Sequence, residues 1–158
     1  MATLATSAAG TAAAPAYQIT NRDVGGVRLG ATRAQYVRAL GRPSYAHRLG
    51  DGLTRLAFAK RELFVYLAHG RGVAVLTSAE EYRTAKKIGP CSTKRALVRA
   101  YGGRLQPYRR SGRVVAYRIR NLVFAVPSGR VGAVLLANRH TGAQLAVNAS
   151  QCGTPGEE

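Results

Sequence analysis

The chain has 158 residues, enough for one domain or for two very small units packed together, and 46% of them are hydrophobic without any long apolar run, which excludes a spanning helix and wholesale disorder. Its 24 Lys and Arg stand against 7 Asp and Glu, a net charge of +17. Apart from Glu80-Glu81 and the terminal Glu157-Glu158 the acids are scattered, which counts against carboxylate-pair hydrolysis, two-metal phosphoryl transfer and calcium binding.

Arg outnumbers Lys 20 to 4 in a chain also rich in Ala, Gly and Val, the skew that a GC-rich bacterial coding sequence produces. The other meaning of the charge is attraction to nucleic acid, to an anionic lipid or cell-envelope polymer, or to an acidic protein. The cations run from Arg22 to Arg139 in nothing longer than pairs such as Lys86-Lys87 and Arg109-Arg110, whereas a nucleic-acid tail carries a block of like charge.

Residues 1–16 are Ala, Thr, Ser and Gly with one Leu and one Pro. Ala14-Pro15-Ala16 before Tyr17 fits a small-x-small cleavage site for export; a plain disordered tail is the alternative. The next signal is an internal match. Thr32 to Gly41 reads TRAQYVRALG and Thr93 to Gly102 reads TKRALVRAYG, 61 residues apart. Each segment predicts a short amphipathic helix with Thr32 or Thr93 as N-cap and Gly41 or Gly102 as terminator. Tyr36, Val37 and Leu40, or Leu97, Val98 and Tyr101, form its apolar face.

Strands are predicted after each helix: 54–59, 63–68 and 73–77 after the first, and 104–108, 114–119, 122–126 and 131–137 after the second, with a closing strand at 144–147. The expected fold class is therefore α+β, two copies of a short helix followed by a three- to four-stranded antiparallel meander, with the helices packed on one sheet face. The expected divisions are 1–16 as signal or disordered tail, 17–87 as repeat 1, 88–152 as repeat 2 and 153–158 as a disordered tail. One shared sheet and two abutting sheets both satisfy the pattern.

Cys91 precedes the second helix and Cys152 follows the last predicted strand. A bridge between them ties the C-terminus to the second half of the fold, while two buried free thiols are the alternative. Neither cysteine has a metal-like or CxxC spacing, and His47, His69 and His140 lie far from one another and from both, so no metal site is expected.

Val27-Arg28-Leu29-Gly30-Ala31-Thr32, then Val37, Leu40-Gly41 and Pro43, resembles the opening of the small SmpA/OmlA and beta-lactamase-inhibitor-protein-like domains. That resemblance implies a helical segment followed by an antiparallel sheet, carried as a tandem pair in the inhibitor proteins. It also implies an exported binding or assembly module and no enzyme.

No phosphate-cradling loop precedes a helix, since Gly25-Gly26 and Gly70-Arg71-Gly72 are isolated turns, and no nucleophile elbow is present. No cofactor is expected. Alternation along Arg113 to Arg120 sets Val115, Tyr117 and Ile119 on one face and Val114, Ala116, Arg118 and Arg120 on the other. The second set reads as an open basic face. With Tyr66, Tyr108, Arg109 and Arg110 beside it, it is the candidate partner surface, because Arg and Tyr concentrate binding energy. The bland alternative is simple solvation of each Arg. The sequence thus predicts a secreted or cell-envelope module that docks an acidic protein or an anionic envelope component, without catalysis. The other readings are a nucleic-acid-binding protein using the same Arg-rich face, in the cytoplasm, and a purely structural protein.

Overall fold

Arg71–Thr77 and Ala133–Ala137 are apolar on both faces along most of their length, and strands of that kind belong in the middle of a sheet. The computed structural model, which describes residues 17–138, 141–147 and 152, puts them there. The tails expected at 1–16 and 153–158, and His140, lie outside the described residues.

In chain order the elements are β1 (Gln18–Ile19), α1 (Arg33–Leu40), β2 (Tyr45–Arg48), β3 (Leu53–Phe58), β4 (Leu63–Ala68), β5 (Arg71–Thr77), β6 (Arg83–Thr84), α2 (Lys94–Tyr101), β7 (Gln106–Arg110), β8 (Arg113–Ile119), β9 (Leu122–Ala125), β10 (Ala133–Ala137) and α3 (Gly142–Val147). Eight strands form one antiparallel sheet in the order β2-β3-β4-β5-β10-β9-β8-β7. Its central seam pairs Val134 with Thr77 and Leu136 with Val75. β1 and β6 form a separate parallel pair.

This corrects the expected fold class. The chain is one large antiparallel sheet with a few short helices, and not two helix-plus-meander copies. The β5–β10 pairing is the reason: left unpaired, these apolar strands would each present an exposed edge, and joining them leaves only β2 and β7 outermost. The helices are not confined to one face either. Tyr36 of α1 and Leu97 of α2 enter one core cluster with Leu56, Val65, Phe124 and Val134. Ala146 of α3 belongs to a second cluster, with Tyr66, Ala74, Leu76, Ala125 and Leu135. The predicted closing strand is thus a helix. It lies close to the sheet because Gly142 has no side chain; a Cβ there would meet Val123 Cγ2 at 2.9 Å and Ala137 Cβ at 3.0 Å.

Both long helices start as their sequences dictate. Thr32 Oγ1 accepts from Gln35 N–H at 3.3 Å while Gln35 Oε1 accepts from Thr32 N–H at 2.8 Å, a closed capping box. Thr93 Oγ1 accepts from Ala96 N–H at 3.1 Å. The apolar face of α2 is narrower than expected, with Leu97 buried and Val98 41% exposed.

Candidate functional site

β7 is an outer strand and all of its residues are exposed. It pairs antiparallel with β8, but the register shifts: Tyr108 opposes Ala116, Arg109 opposes Val114, and Val115 is the extra residue of a β-bulge. The bulge changes which side chains share a face. Val114 joins Tyr117 and Ile119 against the α1–α2 core cluster, whereas Ala116 belongs to the α3-side cluster. Simple alternation had put Val114 with Ala116; the inserted residue reverses it. Pro107, the bulge and the two arginines also guard this edge against pairing with another strand.

On the α2 side the hairpin borders a groove of about 480 Å³. Lys94 from α2, Arg109 from β7 and Arg113 from β8 surround it, with Val114, Tyr117 and Pro127 among its apolar lining. The start of α2 is held there by its backbone, because Lys94 N–H donates to Gly129 O at 2.9 Å and Thr93 bridges to Arg130. Lys94 Nζ lies 5.8 Å from the centre of the Tyr117 ring. Arg109 Nη1 donates to Gly112 O at 3.4 Å, at the weak limit of a hydrogen bond. Among the described residues no acid lines this groove, so the three cationic groups add to one positive potential.

Arg118 and Arg120 lie at the other end of β8. Arg118 Nε donates to Arg120 O at 2.8 Å and Arg118 Nη2 to Ala137 O at 3.1 Å, so this guanidinium ties the β8–β9 turn to the end of β10. Arg120 holds the turn with φ of 52°. With Arg104 and Gln106 these two residues border a second basic concavity. Arg110 is exposed at the hairpin end of β7, opposite Arg113.

Tyr66 stands apart from the others. It lies on β4, 6% exposed, four strand positions from β8, roughly 19 Å at ordinary strand spacing. It opposes Arg55 of β3, whose guanidinium lies 5.7 Å from the Tyr45 ring centre and 5.4 Å from that of Phe64. Arg55 Nε is buried without a partner among the described residues. Burial pushes the Tyr66 phenol above its ordinary pKa, and Arg55 opposes that shift. The six expected residues therefore fall into three places: Tyr108, Arg109 and Arg110 at the hairpin, Arg118 and Arg120 at the far end of β8, and Tyr66 on β4. Sequence reasoning did not single out Lys94 or Arg113. Arg113 could have been found from the Arg109-Arg110-Ser111-Gly112-Arg113 run, but Lys94 reaches the groove only through the chain reversal after β9.

Cys91 and Cys152 are bridged, with Cα atoms 5.2 Å apart. The carbonyl of Cys91 accepts from Arg130 Nη1 at 3.0 Å, and its N–H donates to Val131 O at 2.7 Å. Glu80 Oε1 lies 3.1 Å from Cys91 Sγ, but with both sulfurs in the bridge this trio offers a metal one carboxylate and no thiolate. His47 is exposed on β2, and His69, with φ of 49°, takes the first place in the β4–β5 turn. No helix among the described residues is long and apolar enough to cross a membrane.

No family model and no curated protein sequence matches the chain. Among solved structures, the fold is similar to an extracellular protein containing an SCP domain from Bacillus anthracis str. Ames, with a TM-score of 0.54 and 9% identity over 72% of this chain and 45% of that one. A cysteine-rich secretory protein from Staphylococcus aureus subsp. aureus Mu50 aligns with a TM-score of 0.49 and 13% identity over 82% of this chain and 51% of that one. The chain spans about half the length of each. The structural similarity is thus to an SCP-domain-containing protein, and the resemblance to the SmpA/OmlA and beta-lactamase-inhibitor-protein-like domains does not hold. Its matched positions include Thr32, the helix cap, and Gly30 and Gly41, both with positive φ; such residues serve any short helix that leads into a strand.

Proposed function

We propose that the chain is an exported, non-catalytic module that docks an acidic protein partner on the β7–β8 hairpin and the adjoining groove. The observation that carries this reading is the convergence of Lys94, Arg109 and Arg113, from three different elements, on a groove that no acid lines among the described residues. A surface of opposite, negative charge is what such a site recognises, and steering by the positive field speeds the encounter. The Cys91–Cys152 bridge supports export, because a structural disulfide persists in an oxidising compartment. The docking surface moves from the open sheet face to the hairpin because the other side of the sheet is lined by buried alanines and covered in part by α3.

The test uses the oxidised protein as bait for secreted and cell-envelope fractions of the native host, beside a triple charge reversal of Arg109, Arg110 and Arg113 to Glu. An acidic protein retained by the first bait and lost from the second supports the reading. Failure to retain any such protein at low and moderate salt overturns it, as does a DNA or RNA affinity that exceeds every protein interaction and falls steeply with salt. Intact mass of the host-made protein reports cleavage and the state of the bridge, and an uncleaved, reduced chain sinks export.

A further inference from the structure

The groove is not only positive. Val114, Tyr117, Val126 and Pro127 line it together with Lys94, Arg109 and Arg113. A surface that attracted acids by charge alone would be served by cations on a flat, polar face. Here a concavity of about 480 Å³, lined by both apolar and cationic side chains, lies where they meet, within the usual size range of ligand pockets and ample for one large side chain. Of the three cations, Lys94 is already turned toward the Tyr117 ring, 5.8 Å from its centre, which keeps its charge at the rim. Arg113 has no hydrogen-bond or ion-pair partner among the described residues, and Arg109 has a single weak one to Gly112 O at 3.4 Å. Guanidinium groups left this free are available to carboxylates.

We propose that this groove is an anchor pocket for one apolar or aromatic side chain of an acidic segment, with carboxylates on both sides of the anchor meeting Lys94, Arg109 and Arg113. The proposal rests on the reading of the chain as docking an acidic protein and adds what the docking segment must contain. Buried apolar anchors with charged surroundings carry most of the affinity at interfaces of this kind. Cations supplied from α2, β7 and β8 favour acids both before and after the anchor over a single acidic tail.

The test titrates three labelled, end-blocked heptapeptides into the oxidised protein: Phe flanked by three Glu on each side, the same peptide with Gly for Phe, and Phe flanked by Lys. The acidic Phe peptide binds tightest, the Gly peptide is weaker by roughly ten- to a hundredfold, and the Lys peptide does not bind. Lys94→Ala and Arg113→Ala, both exposed positions, each weaken the acidic Phe peptide several-fold, whereas Arg104→Ala in the second concavity leaves it unchanged. Equal affinity of the Phe and Gly peptides, both weakened by Arg113→Ala, overturns the anchor pocket and leaves acidic docking standing. No binding of either acidic peptide at low salt overturns both, and so does equal weakening of the Phe and Lys peptides to no measurable binding while a twelve-residue oligothymidylate binds.

Discussion

Tyr108 and Arg109 are consecutive on β7 and emerge on opposite faces of the sheet, Tyr108 across from Ala116 and Arg109 across from Val114. Two residues that sequence alone groups as one patch therefore make separable contributions. Arg109→Glu removes a positive charge from the groove and adds a negative one, and we expect it to weaken an acidic ligand at least tenfold at low salt, with the difference shrinking as salt rises. Tyr108→Ala, on the α3 side, is expected to change that affinity less than twofold. Both positions are exposed, so urea midpoints stay close to the parent for each. A Tyr108 effect as large as that of Arg109 would place docking on the other face.

Gly72 of β5 lies against the Tyr36 side chain of α1, and a Cβ there would collide with its phenol end. The ring cannot step aside. Its hydroxyl donates to Arg28 O at 2.6 Å, and Gly72 itself is clamped, donating to Ala31 O at 2.9 Å and accepting from Gly30 N–H at 2.8 Å. Gly72→Ala is expected to cost about 1–3 kcal/mol, the usual penalty for overpacking. In urea unfolding the Gly72→Ala/Tyr36→Leu double variant loses less than the sum of the two single variants; simple additivity would mean that the contact is not what matters.

How much of this was legible in the chain depends on what each residue packs against. Leu63–Ala68 emerges with its predicted bounds because it is flanked by turn residues. Tyr45–Arg48 escapes notice because every residue of this outermost strand is exposed, so no apolar alternation marks it. The four residues 144–147 are too few to separate a period of two from one of 3.6, and they are helical. The fusion of the halves was written in Val73–Thr77 and Ala133–Ala137, apolar on both faces, but pairing partners are a tertiary choice. The site suffered most from the bulge at Val115, which no local pattern announces and which decides that Arg109 faces the groove.

Three buried phenols set the alkaline limit of stability. Burial raises the pKa of Tyr36, Tyr66 and Tyr82, opposed in part by a backbone hydrogen bond at Tyr36, by Arg55 at Tyr66 and by Arg61 at Tyr82. Tyr36 and Tyr82 also donate their protons to the carbonyls of Arg28 and Arg61, each at 2.6 Å, which a phenolate cannot do. In the unfolded chain these groups titrate near pH 10. Because the folded values lie higher, the folded state holds the protons more tightly; the stabilisation is complete below about pH 10 and is lost as pH rises through the folded values. The urea midpoint is expected to hold steady from about pH 8 to 9.5 and to fall above about 10. Tyr82→Phe flattens that decline, and a midpoint that does not fall above about 10 rules the idea out.

The bridge between Cys91 and Cys152 closes a loop with a sequence separation of 61, and the loss expected on removing it follows from that length. Chain entropy alone assigns such a loop about 4 kcal/mol, with native strain and residual structure in the unfolded chain usually reducing the measured figure. What it joins is specific. Cys91 sits immediately before α2, with its carbonyl bound to Arg130 and its N–H bound to Val131, and Thr93 two residues on caps the helix that carries Lys94 into the groove. Cys152 follows α3, whose Ala146 covers the other face of the sheet. Cys91→Ser/Cys152→Ser is therefore expected to lower unfolding free energy by about 2–4 kcal/mol in urea titrations and to loosen α3 more than α2, since α2 keeps its own backbone ties to Gly129 and Arg130. Hydrogen exchange resolves the two: faster exchange spreading through Gly142–Val147 while Lys94–Tyr101 stays protected fits this account. A uniform acceleration would show instead that the bridge acts only through the unfolded state, and a loss under about 0.5 kcal/mol would show that it does little at all.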